Sequence, residues 1–417
     1  MIFIILALLA LLGTPLFVVI AASAMLGYNS SEIPLSAIPI EIFGISEMPI
    51  LLAIPLFTFA GYVLSESQAP ARLVRLTEAL LGWLPGGLAI VSIAACAFFT
   101  AFTGASGVTI IALGALLYPA LSQAGYDKNF NLGLVTAAGS LGLLFAPSLP
   151  LILYGVVAEL PIDDLFIAGV LPGILMMVVL SAYSLWINRA NRRPISQFSV
   201  AELLRAIKET AWEIPLPFVV LGGIYSGYFA VSEAAAVTAV YVVAVEVFIR
   251  HDIRISKLPQ IMRESMVLVG GILLILGVSL ASTNYMIDAQ VPEKLVGFVN
   301  QFVTGQTSFL LMLFLFLLVL GAILDIFSAL VLVVPLILPV AAEFGVDPIH
   351  LGIVFLSTMQ LGYLTPPVGL NLFISSYRFD QSIVRVYLAT FPFLVMLMLS
   401  VLLITFWPAL SLVLLER

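Results

Sequence analysis

Apolar runs separated by short polar clusters make up most of this chain. Runs near 2–26, 48–65, 129–157, 164–188, 214–231, 233–250, 264–287, 349–376 and 384–412 read as single crossings of a bilayer. Two longer stretches, 86–123 and 308–343, each hold a break at mid-length. The first breaks at Thr103-Gly104-Ala105-Ser106-Gly107 and the second at Leu324-Asp325-Ile326-Phe327-Ser328. Two ordinary spans would give the same sidedness as a re-entrant hairpin. The first turn carries no charged or loop-like residue, which favours the hairpin, with its Gly and Ser in a tight tip buried in protein. Runs 129–157 and 349–376 carry prolines at Phe145-Ala146-Pro147-Ser148-Leu149-Pro150 and Leu364-Thr365-Pro366-Pro367-Val368-Gly369. Proline removes a backbone donor and restricts the residue before it, so a helix kinks or stops there. Corresponding prolines in the two runs favour discontinuous helices over simple kinks. Leu73, Leu76, Leu80 and Leu84 recur at helical spacing in 72–83, an interfacial amphipathic pattern, and 200–212 is a second. The stretch 293–303 is a weaker third case.

The breakers repeat. Pro119, Gly125, Asp127, Gly142 and Pro147 have partners 220 residues on, in Pro339, Gly345, Asp347, Gly362 and Pro367. The fold class that follows is an all-α polytopic membrane protein built from two related halves. Residues 1–47 would form the first span and an external loop, and 48–190 the first repeat, with hairpin 86–123 and broken helix 129–157. Residues 191–263 would hold a central amphipathic helix and two scaffold helices. The second repeat would occupy 264–417, with hairpin 308–343 and broken helix 349–376.

Charge supplies the sidedness. With the N-terminus in the cytoplasm, 14 of the 16 Lys and Arg residues fall inside, leaving only Lys294 and Arg417 outside. Six crossings precede the second repeat and one precedes the first, so the repeats are inserted in opposite senses. The C-terminus then lies in the periplasm. The chain is 62% hydrophobic and 9% charged, with a net charge of −7, which excludes a nucleic-acid binder. The apolar N-terminal run is read as a retained helix bent at Pro15; no basic residue precedes it, as a signal peptide would require. Cys96, the one cysteine, sits in an apolar run and reads as a small buried hydrophobe.

Interrupted helices expose carbonyls at one half-helix end and N–H groups at the next start. The first suit a hard cation and the second a carboxylate. Cation-site candidates are therefore Thr103, Ser106, Pro147, Asp325, Thr365, Pro366 and Gly369. Substrate candidates are Ser106, Thr109, Ser148, Ser328 and Asn371. Asp325 is expensive inside a membrane and needs a function or a partner. It could be a helix N-cap, which is compatible with a nearby cation site. His251 and His350 are read as surface residues, and Glu246 as a local partner of Arg250 four residues on.

Gly104-Ala105-Ser106-Gly107, Ala124-Gly125-Tyr126-Asp127, Pro147-Ser148 through Tyr154-Gly155, Gly169-Val170-Leu171-Pro172-Gly173 and above all Leu364 through Phe373 carry a family resemblance. Over nearly its whole length the chain resembles the large membrane subunit (DctM-like) of tripartite ATP-independent periplasmic (TRAP) transporters. It departs from many relatives at Ala146, where they have a second proline, so the first break is expected to be the softer. The resemblance implies an elevator-type transporter of the bacterial inner membrane, with Na⁺ as coupling ion and an organic-acid substrate. It also implies a small four-helix membrane subunit and a periplasmic substrate-binding protein as partners. The sequence has no extra N-terminal spans to supply the small subunit, so that partner is expected to be separate. A stand-alone sodium-coupled carboxylate carrier of related fold is the alternative. A membrane enzyme would need a catalytic cluster that two remote histidines and one mid-membrane Asp do not make. A passive channel fits paired interruptions less well than a gated carrier.

Overall fold

The computed structural model describes residues 6, 9, 13–84, 86–189, 198–303 and 305–415. The expected first span therefore falls partly outside the described residues, as do Arg192, Arg193, Arg417 and the boundary expected at 190. Helix α1 (Leu16–Ser30) follows Pro15, where the bend is expected. Helix α2 (Ala37–Gly44) lies in a segment that the apolar pattern treats as loop. Next come α3 (Ala53–Glu66), entered through a 3₁₀ turn at Pro49–Leu52, and the amphipathic α4 (Ala69–Leu81). The described residues contain no strand.

The first hairpin begins with α5 (Gly87–Thr103), turns at Gly104 and Ala105, and returns as α6 (Ser106–Ala112) and α7 (Gly114–Gln123). Its second arm is bent by 48° between α6 and α7. A side chain at Gly114 would press on Phe379 and Val135, so the bend lies at a close approach. The first broken helix runs as α8 (Lys128–Ala138), a 3₁₀ turn at Leu141–Leu144, and α9 (Leu149–Val157), with a bend of 43°. Helices α10 (Ile162–Ala168) and α11 (Val170–Ile187) close this half.

Three helices join the halves: α12 (Val200–Glu209), α13 (Pro215–Tyr225) and α14 (Val231–Val243), the last continuing as a π turn to Ile249. Helix α15 (Leu258–Asp288) extends further toward the N-terminus than its apolar run, taking in Arg263, and α16 (Val291–Val299) follows. The second hairpin is α17 (Gln306–Ile323) and α18 (Ile326–Glu343). The second broken helix is α19 (Pro348–Gly362) and α20 (Leu370–Phe379). Helices α21 (Ile383–Phe406) and α22 (Ala409–Leu412) end the described chain. Among the described residues seven helices are long and apolar enough to cross a membrane, or up to nine if each bent pair is one span.

The repeat is structural as well as sequential. Gly125 and Gly345 both take positive φ, at 83° and 71°. Asp127 and Asp347 both cap the helix that follows, accepting from the N–H groups two and three residues on. Ala146–Pro147 and Pro366–Pro367 are both cis. Gly142 and Gly362 each lie on the first arm of their own hairpin. A Cβ at Gly142 would stand 2.2 Å from the Ala97 carbonyl oxygen, and one at Gly362 2.3 Å from the Gly321 carbonyl carbon. The halves also interlock: α9 packs on α18, and in the equivalent exchange α20 packs on α6. One continuous apolar core spans both halves.

Two sequence readings are corrected. His350 is buried, its ring nitrogens 3.2 Å from Ser411 Oγ and 3.2 Å from the Thr405 carbonyl oxygen, because α19 is covered by α21 and α22. Glu246 pairs with Arg72 of α4 rather than with Arg250, since the π turn directs it inward.

Candidate functional site

The two hairpin tips face one cavity of about 330 Å³. Gly104 to Val108 form one wall and Asp325, Ile326 and Phe327 another, while Tyr363, Leu370 and Ile374 come from the second broken helix. Leu143 and Leu268 complete the wall, Leu268 from the long helix α15 outside both hairpins. The polar groups are few, so the shared space is more apolar than the sequence argument implies.

At the first tip, Gly104 has φ 64° and reverses the chain. Ala105, at the N-cap of α6, has no side-chain acceptor for the N–H groups that follow. Ser106 is buried and donates to Asn371 Oδ1 at 2.7 Å. Asn371 Nδ2 in turn donates to the Thr136 carbonyl at 3.4 Å, and Thr136 Oγ1 donates to Ser375 Oγ at 2.8 Å. A polar chain thus ties the first tip to both broken helices. Thr109 lies behind it, 2.7 Å from Thr100 Oγ1, and Thr100 also donates to the Gly139 carbonyl at 2.9 Å. Thr103 is buried, with only a 3.5 Å contact to the Ala105 carbonyl.

The second tip is built differently. Asp325 occupies the position equivalent to Ala105, 220 residues on. Its Oδ1 accepts from the N–H groups of Phe327 and Ser328 at 3.0 Å each, and Oδ2 accepts from Ser328 Oγ at 2.5 Å. The Ile326 N–H donates to Tyr363 Oη at 2.8 Å. The N–H groups at this tip are therefore occupied by the N-cap carboxylate, the helix-capping role that the sequence left open for Asp325. The tip is tied to its own break, because the N–H groups of Val368 and Gly369 reach the Ala322 carbonyl at 3.3 and 3.1 Å.

The remaining candidates are scattered. Pro147 and Ser148 are buried in the first break, and Ser148 Oγ has no hydrogen-bond partner. Thr365 donates back to the Leu361 carbonyl at 2.9 Å, and Pro366 is exposed. Gly369 takes φ 55° where the chain re-enters the helix. Of the candidates only Ser106 and Asp325 line the cavity, with Asn371 and Ser328 hydrogen-bonded to them, while Thr103, Thr109, Pro147, Ser148, Thr365, Pro366 and Gly369 lie off its wall. Sequence reasoning missed Tyr363, although it adjoins the proline motif. It also missed Thr100, Thr136 and Ser375, which carry no signal in their apolar surroundings. Oxygen donors of this kind fit a hard cation, and the Ser148 hydroxyl beside the first break is buried without a hydrogen-bond partner.

Comparison with known proteins agrees with this architecture. The chain is 34% identical over 379 residues to the C4-dicarboxylate TRAP transporter large permease protein DctM of Pseudomonas aeruginosa, covering 91% of this chain and 89% of that one. It is 32% identical to the isethionate TRAP transporter permease protein DctMQ of Oleidesulfovibrio alaskensis, covering 96% of this chain and 63% of that longer protein. The crystal structure of the Alcanivorax borkumensis YdaH transporter, described as having an unusual topology, superposes with a TM-score of 0.60 at 13% identity. That match covers 90% of this chain and 88% of the other, and shows a shared fold. The profile of the tripartite ATP-independent periplasmic transporter DctM component matches residues 2–410, so the chain belongs to that family and is a transporter component rather than an enzyme.

Proposed function

We propose that this chain is the translocating subunit of a sodium-coupled importer of organic acids in a bacterial inner membrane. In this reading it works with a small membrane subunit and a periplasmic substrate-binding protein, and its hairpins and broken helices move as an elevator. The observation that carries the proposal is the inequality of the two tips. An uncapped tip with Ser106 and Asn371 faces a tip whose equivalent residue is the carboxylate Asp325.

Chemistry assigns the two sides. The Asp325 carboxylate attracts a cation and repels an anion, and both effects strengthen where water is scarce. Asp325, with the carbonyls around the Thr365 to Gly369 break, would hold one Na⁺. Thr103, Ser106 and the Pro147–Ser148 break would hold another. Bound Na⁺ supplies the positive charge that offsets the carboxylate of the substrate. Ser106, Asn371 and the uncapped N–H groups after Ala105 orient that carboxylate by hydrogen bonds. The apolar wall of Leu143, Leu268 and Phe327 excludes water around the body of the solute.

Proteoliposomes test this directly. With both partners and an inward Na⁺ gradient, solute should accumulate, and collapsing the gradient should stop it. Equal uptake without Na⁺ would overturn the coupling. Robust uptake by this chain alone would favour a stand-alone carrier.

A further inference from the structure

Outside the cavity wall, α4 is held to the α12–α14 region by one partly buried guanidinium. Arg72 Nε donates to Glu213 at 2.5 Å, Nη1 to Asp252 at 2.6 Å and Nη2 to Glu246 at 3.1 Å. Glu246 is fully buried and Glu213 is 3% exposed. The second oxygen of Glu213, Oε2, is buried without any hydrogen-bond partner. Three carboxyl groups, those of Glu213, Glu246 and Asp252, thus share the single guanidinium of Arg72.

The neighbours do not supply the missing charge. Arg250, one turn after Glu246, gives Nη2 to the Glu209 carbonyl and leaves Nε buried and unpartnered. Arg75 is engaged with Glu209 and Lys257 with Glu66, both at exposed positions. Tyr241 donates to the Trp212 carbonyl, and exposed His251 contacts the Val247 carbonyl. Even with Arg250 included, three carboxylates face two cations. A buried uncompensated carboxylate is costly and is relieved by taking up a proton.

We propose that Glu213, Glu246 and Asp252 form a proton-binding site that holds one proton in the folded chain and so clamps α4 to the π turn of α14. Asp252 keeps its charge. Burial opposes its ionised form, but hydrogen bonds from Arg72 and the Gln68 N–H outweigh burial and hold it below the usual carboxylate range. The proton therefore resides on Glu246, the fully buried member of the cluster. Helix α4 leads through Gly86, at φ 78°, into the first arm of hairpin 1, so the site sets how firmly the root of that hairpin is anchored.

A carboxyl that stays protonated in the fold has a folded pKa above its unfolded value. The fold then binds the extra proton between the two values, and stability falls as pH rises through that window, tenfold in the folding constant per pH unit. The test uses the full chain in lipid nanodiscs. Infrared difference spectra of the wild type should show a protonated-carboxyl C=O band that Glu246→Gln abolishes and Glu66→Gln leaves in place. The thermal midpoint of the wild type should fall as pH rises from about 5 to about 8, and the variant lacking the band should hold it level. A band absent from the wild type, or unchanged in Glu246→Gln, overturns the proposal. So does a Glu246→Gln variant as unstable as Arg72→Gln at every pH. If Glu246→Gln does not fold, the wild-type band and its titration decide alone.

Discussion

Gly362→Ala separates the roles of the repeat glycines from ordinary helix propensity. In a regular helix the change would stabilise, since alanine is the better former by about 1 kcal/mol. Here the new Cβ would stand 2.3 Å from the Gly321 carbonyl carbon, 2.4 Å from its Cα and 2.8 Å from the Ala322 nitrogen. All three are backbone atoms, so no rotamer change relieves them. Restoring a contact of about 3.5 Å requires α19 to move roughly 1.2 Å from α17. That shift acts beside the Ala322 carbonyl, which holds the N–H groups of Val368 and Gly369. Overpacking of this kind costs about 1–3 kcal/mol, and each lost hydrogen bond about 1 kcal/mol more. The expected sum, about 3–5 kcal/mol, lowers the thermal midpoint in detergent and abolishes uptake in proteoliposomes. Gly271→Ala is the control, because nothing lies within 4 Å of its added Cβ. If Gly362→Ala is as stable and as active as Gly271→Ala, the close-approach reasoning is wrong for both repeats.

Gly61 of α3 meets the first hairpin at its tip, where a Cβ would lie 2.8 Å from Thr103 Cα and 2.9 Å from the Phe102 carbonyl oxygen. Gly61→Leu should therefore cut uptake severely while membrane insertion, read by protease protection, stays normal. Asn371→Leu should leave Ser106 Oγ and the Thr136 carbonyl without their partner, at about 1–3 kcal/mol, and abolish uptake. Uptake that survives both Asn371→Leu and Ser106→Leu would remove this pair from the site. Asp252, held below the ordinary carboxylate range, contributes stability that is complete above its unfolded value of about 3.9 and is lost as pH falls through its folded value. Asp252→Asn should lack that acid limb in a thermal-midpoint titration.

The repeat, the breaks and the hairpin turns were legible because the bilayer forbids unpaired backbone except where protein covers it. Gly125, Asp127, Gly142 and Pro147 could be matched to their partners by type and offset alone, and each pair does the same local job. The contents of the site were less legible. Ala105 and Asp325 are equivalent by offset, yet one tip is uncapped and the other fully capped. The N-cap role that the sequence allowed Asp325 is the one it takes, on Phe327 and Ser328, whereas the bare tip at Ala105 carried no such signal. Thr100, Thr136, Tyr363 and Ser375 act through neighbours between 9 and 239 residues away, and no local pattern encodes such pairs. His350 and Glu246 were misread for a related reason. Local spacing offered each a surface role, and tertiary packing on α21 and α4 removed both from water.

The two halves share a plan but not their surroundings, and that difference bears on transport. The first break is short and buried at Pro147 and Ser148, whereas the second leaves Pro366, Pro367 and Val368 exposed. Ala146 in place of a second proline accounts for part of this, since one restricted residue interrupts a helix less than two do. Unequal exposure leaves one copy packed while the other shows its prolines at the surface. Exchanging those surroundings between the copies is the step that the proposed elevator cycle requires. The glycines at Gly61, Gly142 and Gly362 bring helix backbones into direct contact. They favour two discrete packings over a continuum, because close-packed backbones do not deform gradually.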